Sequence, residues 1–228
     1  MKGFVLIEDI VDYDDALIVQ RKLNEMVNED ALEGAILILE HKDVYTCGIH
    51  KDKGLVTIGQ NIRMVERGGG ITYHNPGQIV SYFILNLKVL NLNARTLIGV
   101  IHNELIEFMT ELDIHGESRL GQETGIWTGN KKICSTGIAL KGNATLHGSA
   151  LNYINDMTGF QRINPCGFNP DIMTSCKEIS PMDLHPISKA KEEIGKKLCR
   201  ALKIDFNNRK NWKEVEEIIS EQSFETAP

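Results

Sequence analysis

Two long apolar segments constrain the fold of this chain more than any other feature. GAILILE spans residues 34–40, and QIVSYFILNL spans residues 78–87. Their apolar character is nearly continuous rather than alternating, which is typical of strands buried on both faces of a sheet. Both are far shorter than the roughly 18 apolar residues that a membrane span needs. We therefore predict a fold built around buried β-strands.

Further strands and helices are indicated by apolar periodicity, turn residues and caps. Strands are predicted at 3–8, 125–129, 131–140 and 144–156, with weaker signals at 55–58 and 62–66 and a Gly-Asn turn at 129–130. Helices are predicted from Asp14 or Asp15 to about Asn28, over about 94–113 with Asn93 as N-cap, and at about 186–202 and 210–221.

Strands in runs, one long helix among them and two helices at the end indicate the α+β class. We expect a mixed β-sheet with flanking helices, packed mainly on one face. Residues 1–228 are predicted to form a single domain. The helical segment from about Pro181 is expected to cap the same core.

Charge and cysteine content exclude several functions. The formal net charge is −6, which argues against nucleic-acid binding. The N-terminus has neither a cleavage site nor an unbroken apolar core, so we expect a cytoplasmic protein that does not act at a membrane. Five cysteines without CxxC spacing argue against both a disulfide framework and a structural zinc site. No metal or cofactor is predicted.

A glycine-rich stretch, RGGGITYHNPGQIVSY at 67–82, is the first candidate site. Three consecutive glycines allow a ligand to approach the backbone closely. The spacing fits neither a dinucleotide-binding nor a P-loop motif. A glycine bulge in a sheet and a structural role for His74 are the alternatives.

Two predicted strands carry further candidates. In KKICSTG (131–137), Lys131 and Lys132 must face opposite sides of the sheet, so one of them faces the protein interior. The alternative is an edge-strand lysine that prevents aggregation. Cys134 is expected to pack in the core. In LHGSALN (146–152), Gly148 indicates a bulge or a close approach of ligand.

The last candidate is Cys166, in the turn RINPCGF at 162–168. Proline and glycine on either side of the cysteine predict a stiff, tight turn that presents the thiol. A free thiol titrates near pH 8.5, so a nucleophilic Cys166 needs a base or cation. Lys132, His74 and His147 are the candidates. A histidine partner would indicate a hydrolase, and an inert thiol remains the alternative.

Taken together, these segments resemble the octanoyltransferase family of lipoate biosynthesis, within the biotin/lipoate protein ligase superfamily. The matching segments are RGG with TYH, GQ and Tyr82; KICS with Gly137; HG with ALN; and INPCG, all in the family's order. Asn75, Thr136 and Ser149 depart from the pattern, where glycine, leucine and leucine are expected. The last two departures bear on the acyl pocket and on preference for chain length.

The resemblance implies a fold, an activity and site residues. The fold is a mixed sheet with flanking helices, and the activity transfers an octanoyl group from octanoyl-acyl carrier protein to a lysine of a lipoyl domain. The acceptors are 2-oxoacid dehydrogenases or the glycine-cleavage H protein. Cys166 would carry the acyl group as a thioester, and Lys132 would lower the pKa of that thiol. The substrate-binding residues would be Arg67, Gly68, Gly69, Gly70, Ile71, Thr72, Tyr73, His74, Ser135, Thr136, Gly137, Gly148, Ser149 and Ala150.

The resemblance also leaves rivals. ATP-dependent lipoate or biotin ligases share the fold but need no nucleophilic cysteine, so the PCG turn favours the transferase. A non-catalytic acyl-binding protein is a second rival, and a cysteine hydrolase is a third. Because the family's protein substrates are acidic, docking is expected to use basic residues, for which the candidates are Lys51, Lys53, Arg63, Lys131 and Lys141.

Overall fold

A computed structural model describes residues 3–49 and 62–225. The strands are β1 (Phe4–Val11), β2 (Gly34–His41), β3 (Val44–Cys47), β4 (Ile62–Met64), β5 (Ile71–His74), β6 (Gln78–Leu85), β7 (Glu117–Arg119), β8 (Gly125–Thr128), β9 (Lys131–Lys141), β10 (Ala144–Asn152) and β11 (Arg209–Lys210). The α-helices are α1 (Tyr13–Asn28), α2 (Ala94–Thr110), α3 (Cys176–Ile179), α4 (Ile187–Leu202) and α5 (Trp212–Glu225).

Eight strands form the main sheet, in the order β11-β1-β2-β6-β10-β9-β8-β7. The β1 strand is parallel to both of its neighbours, and all other adjacent pairs are antiparallel. A second, three-stranded sheet has the order β4-β3-β5. The predicted α+β class with a mixed sheet is therefore confirmed.

Helices cover both faces of the main sheet, so the prediction that they pack mainly on one face is wrong. Ile36 and Ile38 of β2 join a core with α2 and α4, whereas Leu37 and Leu39 join a core with α1 and α5. This two-sided burial explains why GAILILE is apolar without alternation. The two C-terminal helices thus lie on opposite faces.

The predicted helix starts are close to the observed ones. Asn93 caps α2 in a reciprocal pair with Thr96, as expected from the sequence. The cap of α1 is Asp12 rather than Asp14 or Asp15, because Asp12 is extended and its side chain accepts from the backbone N–H of Asp14. The predicted strand at 55–58 lies outside the described residues.

The predicted strand 144–156 ends earlier, at Asn152. Beyond it, the Asn155 amide donates to Asn75, and the Asn75 amide donates to the Asp156 carbonyl. The Asp156 carboxylate accepts from the Thr158 N–H, so the chain turns here instead of continuing as a strand. Within residues 3–49 and 62–225, no helix combines the length and apolar character that crossing a bilayer requires.

Candidate active site

An open cavity with an empty volume of about 500 Å³ lies where β5, β6, β9 and β10 meet the glycine-rich loop at 67–69. The residues that border it are Tyr13, Arg67, Gly68, Gly69, Thr72, His74, Val80, Tyr82, Thr124, Lys132, Ser135, Thr136, Gly137, His147, Gly148, Ser149 and Ala150. The structure thus brings the glycine-rich stretch, KKICSTG and LHGSALN together around one space.

Short residues on β9 and β10 leave room for this cavity. Ser135 pairs with Ala150, and Gly137 pairs with Gly148. A Cβ atom added to Gly137 would lie 2.7 Å from the carbonyl oxygen of Gly68, so glycine allows the loop to cross the strand closely. A Cβ atom at Gly148 would collide with the carbonyl oxygen of Ser81, so that glycine permits the strand packing itself.

Arg67 holds the glycine-rich loop in position. One of its terminal nitrogens donates to both the carbonyl and the hydroxyl oxygen of Thr46 at 2.8 Å, and the other donates to the Gly68 carbonyl at 3.1 Å. The Gly68 N–H donates to the Ile138 carbonyl at 3.4 Å. The guanidinium therefore ties the small sheet to the loop that crosses β9.

Alternation along β5 divides the predicted residues ITYH into two sets. Thr72 and His74 border the cavity. Ile71 and Tyr73 point into a separate apolar cluster, where the Tyr73 hydroxyl donates to Asp43 at 2.7 Å. Gly70 lies beside that cluster and its carbonyl accepts from Gly48. Ile71, Tyr73 and Gly70 are therefore not among the described residues that border the cavity.

His74 is held as a neutral ring. Gln78 donates its amide hydrogens to Tyr73 O and Asn152 Oδ1, so its Oε1 accepts from His74 Nδ1 at 2.7 Å. The His74 Nε2 is then an acceptor. Burial, and secondarily the neighbouring His41, lower the pKa of His74 to about 3. This imidazole is uncharged at neutral pH.

Other ring side chains near His74 are also held uncharged. Burial lowers the pKa of His147 and raises the pKa of Tyr82. Burial likewise raises the pKa of Tyr13 to about 12. The Tyr82 hydroxyl donates to Nε2 of His41, whose Nδ1 donates to the Val11 carbonyl at 2.8 Å. This end of the cavity therefore presents neutral aromatic surfaces beside the guanidinium of Arg67.

The other end of the cavity contains Lys132, whose side chain is only 2% exposed. Its ammonium lies 5.6 Å from the centroid of the Trp127 ring, within the range of a cation–π contact. Gly125 makes room for it, because an added Cβ there would lie 2.6 Å from Lys132 Cε. Lys131 is exposed and donates to the Asp171 carbonyl. The prediction that one of the two lysines faces inward is confirmed.

The turn that carries Cys166 is a short 3-10 helix, Pro165–Gly167. It is closed by hydrogen bonds from Gly167 to Asn164 and from Phe168 to Pro165, and Gly167 has φ = +82°. The turn packs against β5. Phe168, two residues further on, contacts the Trp127 ring edge-on at 5.8 Å. The Cys166 side chain lies outside what the structure describes, so its predicted role is not tested.

The other four cysteines are buried free thiols. Burial raises the pKa of Cys134 and of Cys199 to about 12, and raises the pKa of Cys176 as well. Cys134 packs in the core beneath α2, as predicted. Such thiols are poor nucleophiles at neutral pH. Among the described residues, no group of three or more His, Cys, Asp or Glu is placed to hold a metal ion.

The three departures from the family pattern all lie near this cavity. Thr136 and Ser149 border it, and the Thr136 hydroxyl bonds to Nε2 of His102 on α2 at 2.9 Å. Asn75 donates to the Asp156 carbonyl and accepts from Asn155. A leucine at position 136 would leave Nε2 of His102 without this partner. The threonine at position 136 therefore supplies a hydrogen-bond partner for the buried His102.

Besides Lys132, five residues that border the cavity were not among the substrate-binding residues predicted from the sequence. Val80, Tyr82 and His147 lie in the segments singled out from the sequence, and His147 was a candidate partner for Cys166. Tyr13 and Thr124 lie outside those segments, and Tyr13 is the first residue of α1. No local pattern marks them, because only the tertiary fold brings them to the cavity.

Comparison with known proteins identifies close relatives in sequence. Residues 12–208 match the model of the lipoyl protein ligase A/B catalytic domain. A probable octanoyltransferase 2 of Picrophilus torridus is 44% identical over 79% of this chain and 71% of its own. An octanoyltransferase of Thermoanaerobacter pseudethanolicus is 34% identical over 90% of this chain and 92% of its own.

A solved structure shares the fold at much lower identity. A lipoate-protein ligase A crystallised with ATP superposes with a TM-score of 0.73 over 99% of this chain and 95% of its own, at 14% identity. At that identity the similarity describes the fold alone, which agrees with the predicted lipoate-ligase-like architecture.

Proposed function

The chain belongs to the lipoyl protein ligase A/B catalytic domain family and, within it, to the octanoyltransferases, which are acyltransferases; on this premise we propose that Cys166 carries the octanoyl group between donor and acceptor. The donor would be octanoyl-acyl carrier protein. The acceptor would be a lysine of a lipoyl domain in a 2-oxoacid dehydrogenase or in the glycine-cleavage H protein.

One observation carries the proposal: contacts connect the buried Lys132 to the segment that carries Cys166. The Lys132 ammonium lies over Trp127, and Trp127 contacts Phe168, which follows that turn. The Lys132 carbonyl also accepts from the backbone of Thr174, further along the same segment. A cation beside a thiol favours the thiolate, which is the nucleophilic form.

The proposed reaction has two transfers at the acyl carbon. The Cys166 thiolate attacks the donor thioester, a new C–S bond forms, the C–S bond to phosphopantetheine breaks, and the leaving thiolate takes a proton from the Lys132 ammonium. The amine of the acceptor lysine then attacks the enzyme thioester, an amide forms, and the Cys166 thiolate leaves. Neutral Lys132 would receive the proton that the amine loses. The overall reaction needs neither an oxidant nor ATP.

We propose that the acyl chain binds in this cavity. Val80, Ala150 and Gly137 border the space between Lys132 and the neutral rings of His74 and Tyr82. Four residues lie between Lys132 and Gly137 on β9, so these two cavity-lining residues are about 16 Å apart along the strand. Arg67 and the backbone of the glycine-rich loop would close this space over the acyl chain.

The cysteine hydrolase rival fits the site less well. A general base works best with a pKa near the working pH. Burial lowers the pKa of His74 to about 3 and also lowers that of His147, so both rings are weak bases in this setting. This leaves Lys132 as the better candidate for activating Cys166.

The basic residues predicted to dock acidic protein substrates already have partners within the protein, where the structure describes them. Arg63 pairs with Asp14 at 2.9 Å, Lys141 lies 3.7 Å from Glu25, and Lys131 bonds to the Asp171 carbonyl. Lys51 and Lys53 lie outside the described residues. We propose that association is salt-sensitive, that it takes place in the cytoplasm, and that it exchanges some of these contacts for contacts with the partner.

The experiment that tests the proposal is intact-mass analysis after incubation with an octanoyl thioester, without ATP. An octanoyl adduct that hydroxylamine removes is expected on the wild-type protein and on Cys47→Ala, a matched change at a buried thiol. No adduct is expected on Cys166→Ala. An adduct that persists in Cys166→Ala, or one that forms from free octanoate only with ATP, would contradict the proposal.

A further inference from the structure

Asn152 ends β10 and is 1% exposed. Its Oδ1 accepts from Gln78 Nε2 at 2.8 Å and from Asn155 at 3.4 Å. Its Nδ2 donates to the Thr174 carbonyl at 2.9 Å. The amide therefore uses both its acceptor and a donor inside the protein, and no smaller polar side chain offers both at these positions.

One arm of this hydrogen-bond network reaches the cavity wall. Gln78, which pairs with Asn152 across β6 and β10, is oriented by donating to Asn152 and Tyr73. That orientation turns its Oε1 toward His74 Nδ1, at 2.7 Å. Asn152 thus helps to fix which ring nitrogen of His74 carries the proton.

The other arm reaches Lys132. Thr174, whose carbonyl accepts from Asn152, donates its own N–H to the Lys132 carbonyl at 3.0 Å. Met173 also forms a bridge with Lys132. Residues 173 and 174 lie seven and eight residues after Cys166 in the same segment. Asn152 therefore holds this segment at the point where it touches the backbone of Lys132.

We propose that Asn152 is a positioning residue, which sets the distance between the Cys166 segment and Lys132 through the Thr174 carbonyl. This inference rests on the proposed function of Lys132 and Cys166. Asn152 touches no reacting atom. Misplacement of reacting groups by about 1 Å reduces rates by up to about 100-fold, so a loosened contact at Thr174 slows the transfer.

The fold offers a matched control at the opposite end of the same strand. Asn24 on α1 is fully buried, and its Nδ2 donates to the Ala144 and Thr145 carbonyls at 3.0 and 3.2 Å. Asn24→Ala removes the same kind of buried amide as Asn152→Ala. It does so away from Lys132, so it reports the effect of destabilisation alone.

The test compares acyl-adduct formation on Cys166 and the pH dependence of its alkylation in four proteins. Asn152→Ala is expected to slow adduct formation by about 10- to 100-fold at unchanged KM for the donor, whereas Asn24→Ala stays within about twofold of wild type. Asn152→Asp retains the acceptor toward Gln78 and loses the donor toward Thr174. It should resemble Asn152→Ala, and wild-type rates in Asn152→Asp would overturn the proposal.

A double-mutant comparison separates positioning from general damage. If Asn152 acts through Lys132, then Asn152→Ala slows Lys132→Met by no more than about twofold. Multiplied effects would overturn the inference. If the wild-type protein forms no adduct at all, the proposed function fails instead. If wild type reacts and Lys132→Met does not, but Asn152→Ala matches wild type, only the positioning role is wrong.

Discussion

Lys132 and Lys191 are both almost completely buried, at 2% and 1% exposed, yet their ammonium groups lie in different surroundings. Lys191 on α4 donates to the Glu8 carbonyl at 2.7 Å and to carboxylate oxygens of Asp9 and Glu40 at 2.9 Å each. Lys132 lies over the Trp127 ring and borders a cavity. A ligand in the cavity can therefore reach the Lys132 ammonium, whereas the Lys191 ammonium is enclosed by protein oxygens.

The difference shows that burial of a charge does not by itself indicate chemistry. The Lys191 ammonium is saturated by fixed oxygens, and the second oxygen of Glu40 accepts from the Gly77 backbone at 2.8 Å. This cluster therefore joins α4, β2 and the turn after β5. We expect Lys191 to contribute to stability and Lys132 to contribute to the reaction.

The same substitution at both positions is the strongest test of the difference between the two lysines. Lys132→Met should slow octanoyl transfer by about 10²- to 10⁴-fold, the usual contribution of a proton-transfer residue. Lys191→Met leaves Glu40 buried without its ammonium and should lower the free energy of unfolding by about 3–5 kcal/mol. Urea denaturation and the transfer rate of the folded fraction measure the two effects.

The comparison predicts a crossed pattern. Lys191→Met should keep transfer by the folded fraction within a few-fold of wild type, and Lys132→Met should unfold near the wild-type midpoint. A Lys132→Met protein that unfolds early but transfers normally would make Lys132 the structural lysine. Equal losses of both properties at both positions would remove the distinction.

Sequence patterns predicted the framework better than its layers. Continuous apolar runs, a 3.6-residue stripe and the Asn93 cap located the main strands and α2, since these signals depend on near neighbours. The placement of helices on both faces was missed. The order of elements along the chain does not state which face a helix covers, because that depends on how the strands are paired.

Some residues in and around the candidate site could likewise be predicted from local sequence patterns, and others could not. Lys132 was found because strand alternation requires one of two adjacent lysines to face inward. Asn152 and Lys191 were given no role, since Thr174 lies 22 residues from Asn152 in sequence and Glu8 lies 183 residues from Lys191. Hydrogen bonds between such distant positions leave no periodicity in the sequence.

A further difference between the surroundings of the two lysines is His102, a buried histidine near Lys132 that makes stability depend on pH. His102 bonds to Ser118 and Thr136, and burial, with Lys132 as the second cause, lowers its pKa to about 4. An unfolded histidine titrates near 6.5, so between pH 6.5 and about 4 the unfolded chain binds more protons. Stability from this residue is complete above pH 6.5 and is lost as the pH falls.

His102→Gln should therefore reduce the loss of unfolding free energy between pH 7 and pH 4 by about 3 kcal/mol. Glutamine retains a polar group toward Thr136 without a titrating ring. Urea denaturation at several pH values measures the slope in both proteins. An unchanged slope in His102→Gln would mean that His102 does not titrate differently in the folded and unfolded states.

The smallest expected effect reports directly on the charge of Lys132. Because a nearby ammonium disfavours a second positive charge, it contributes to the lowered pKa of His102. Lys132→Met should raise the pKa of His102 toward its ordinary value, whereas Lys191→Met should leave it unchanged. Imidazole NMR titration of the folded form, with circular dichroism at each pH, makes the measurement. If His102 titrates identically in wild type and Lys132→Met, then Lys132 is neutral in the resting protein, and it enters the reaction as a base rather than as the cation that stabilises a thiolate.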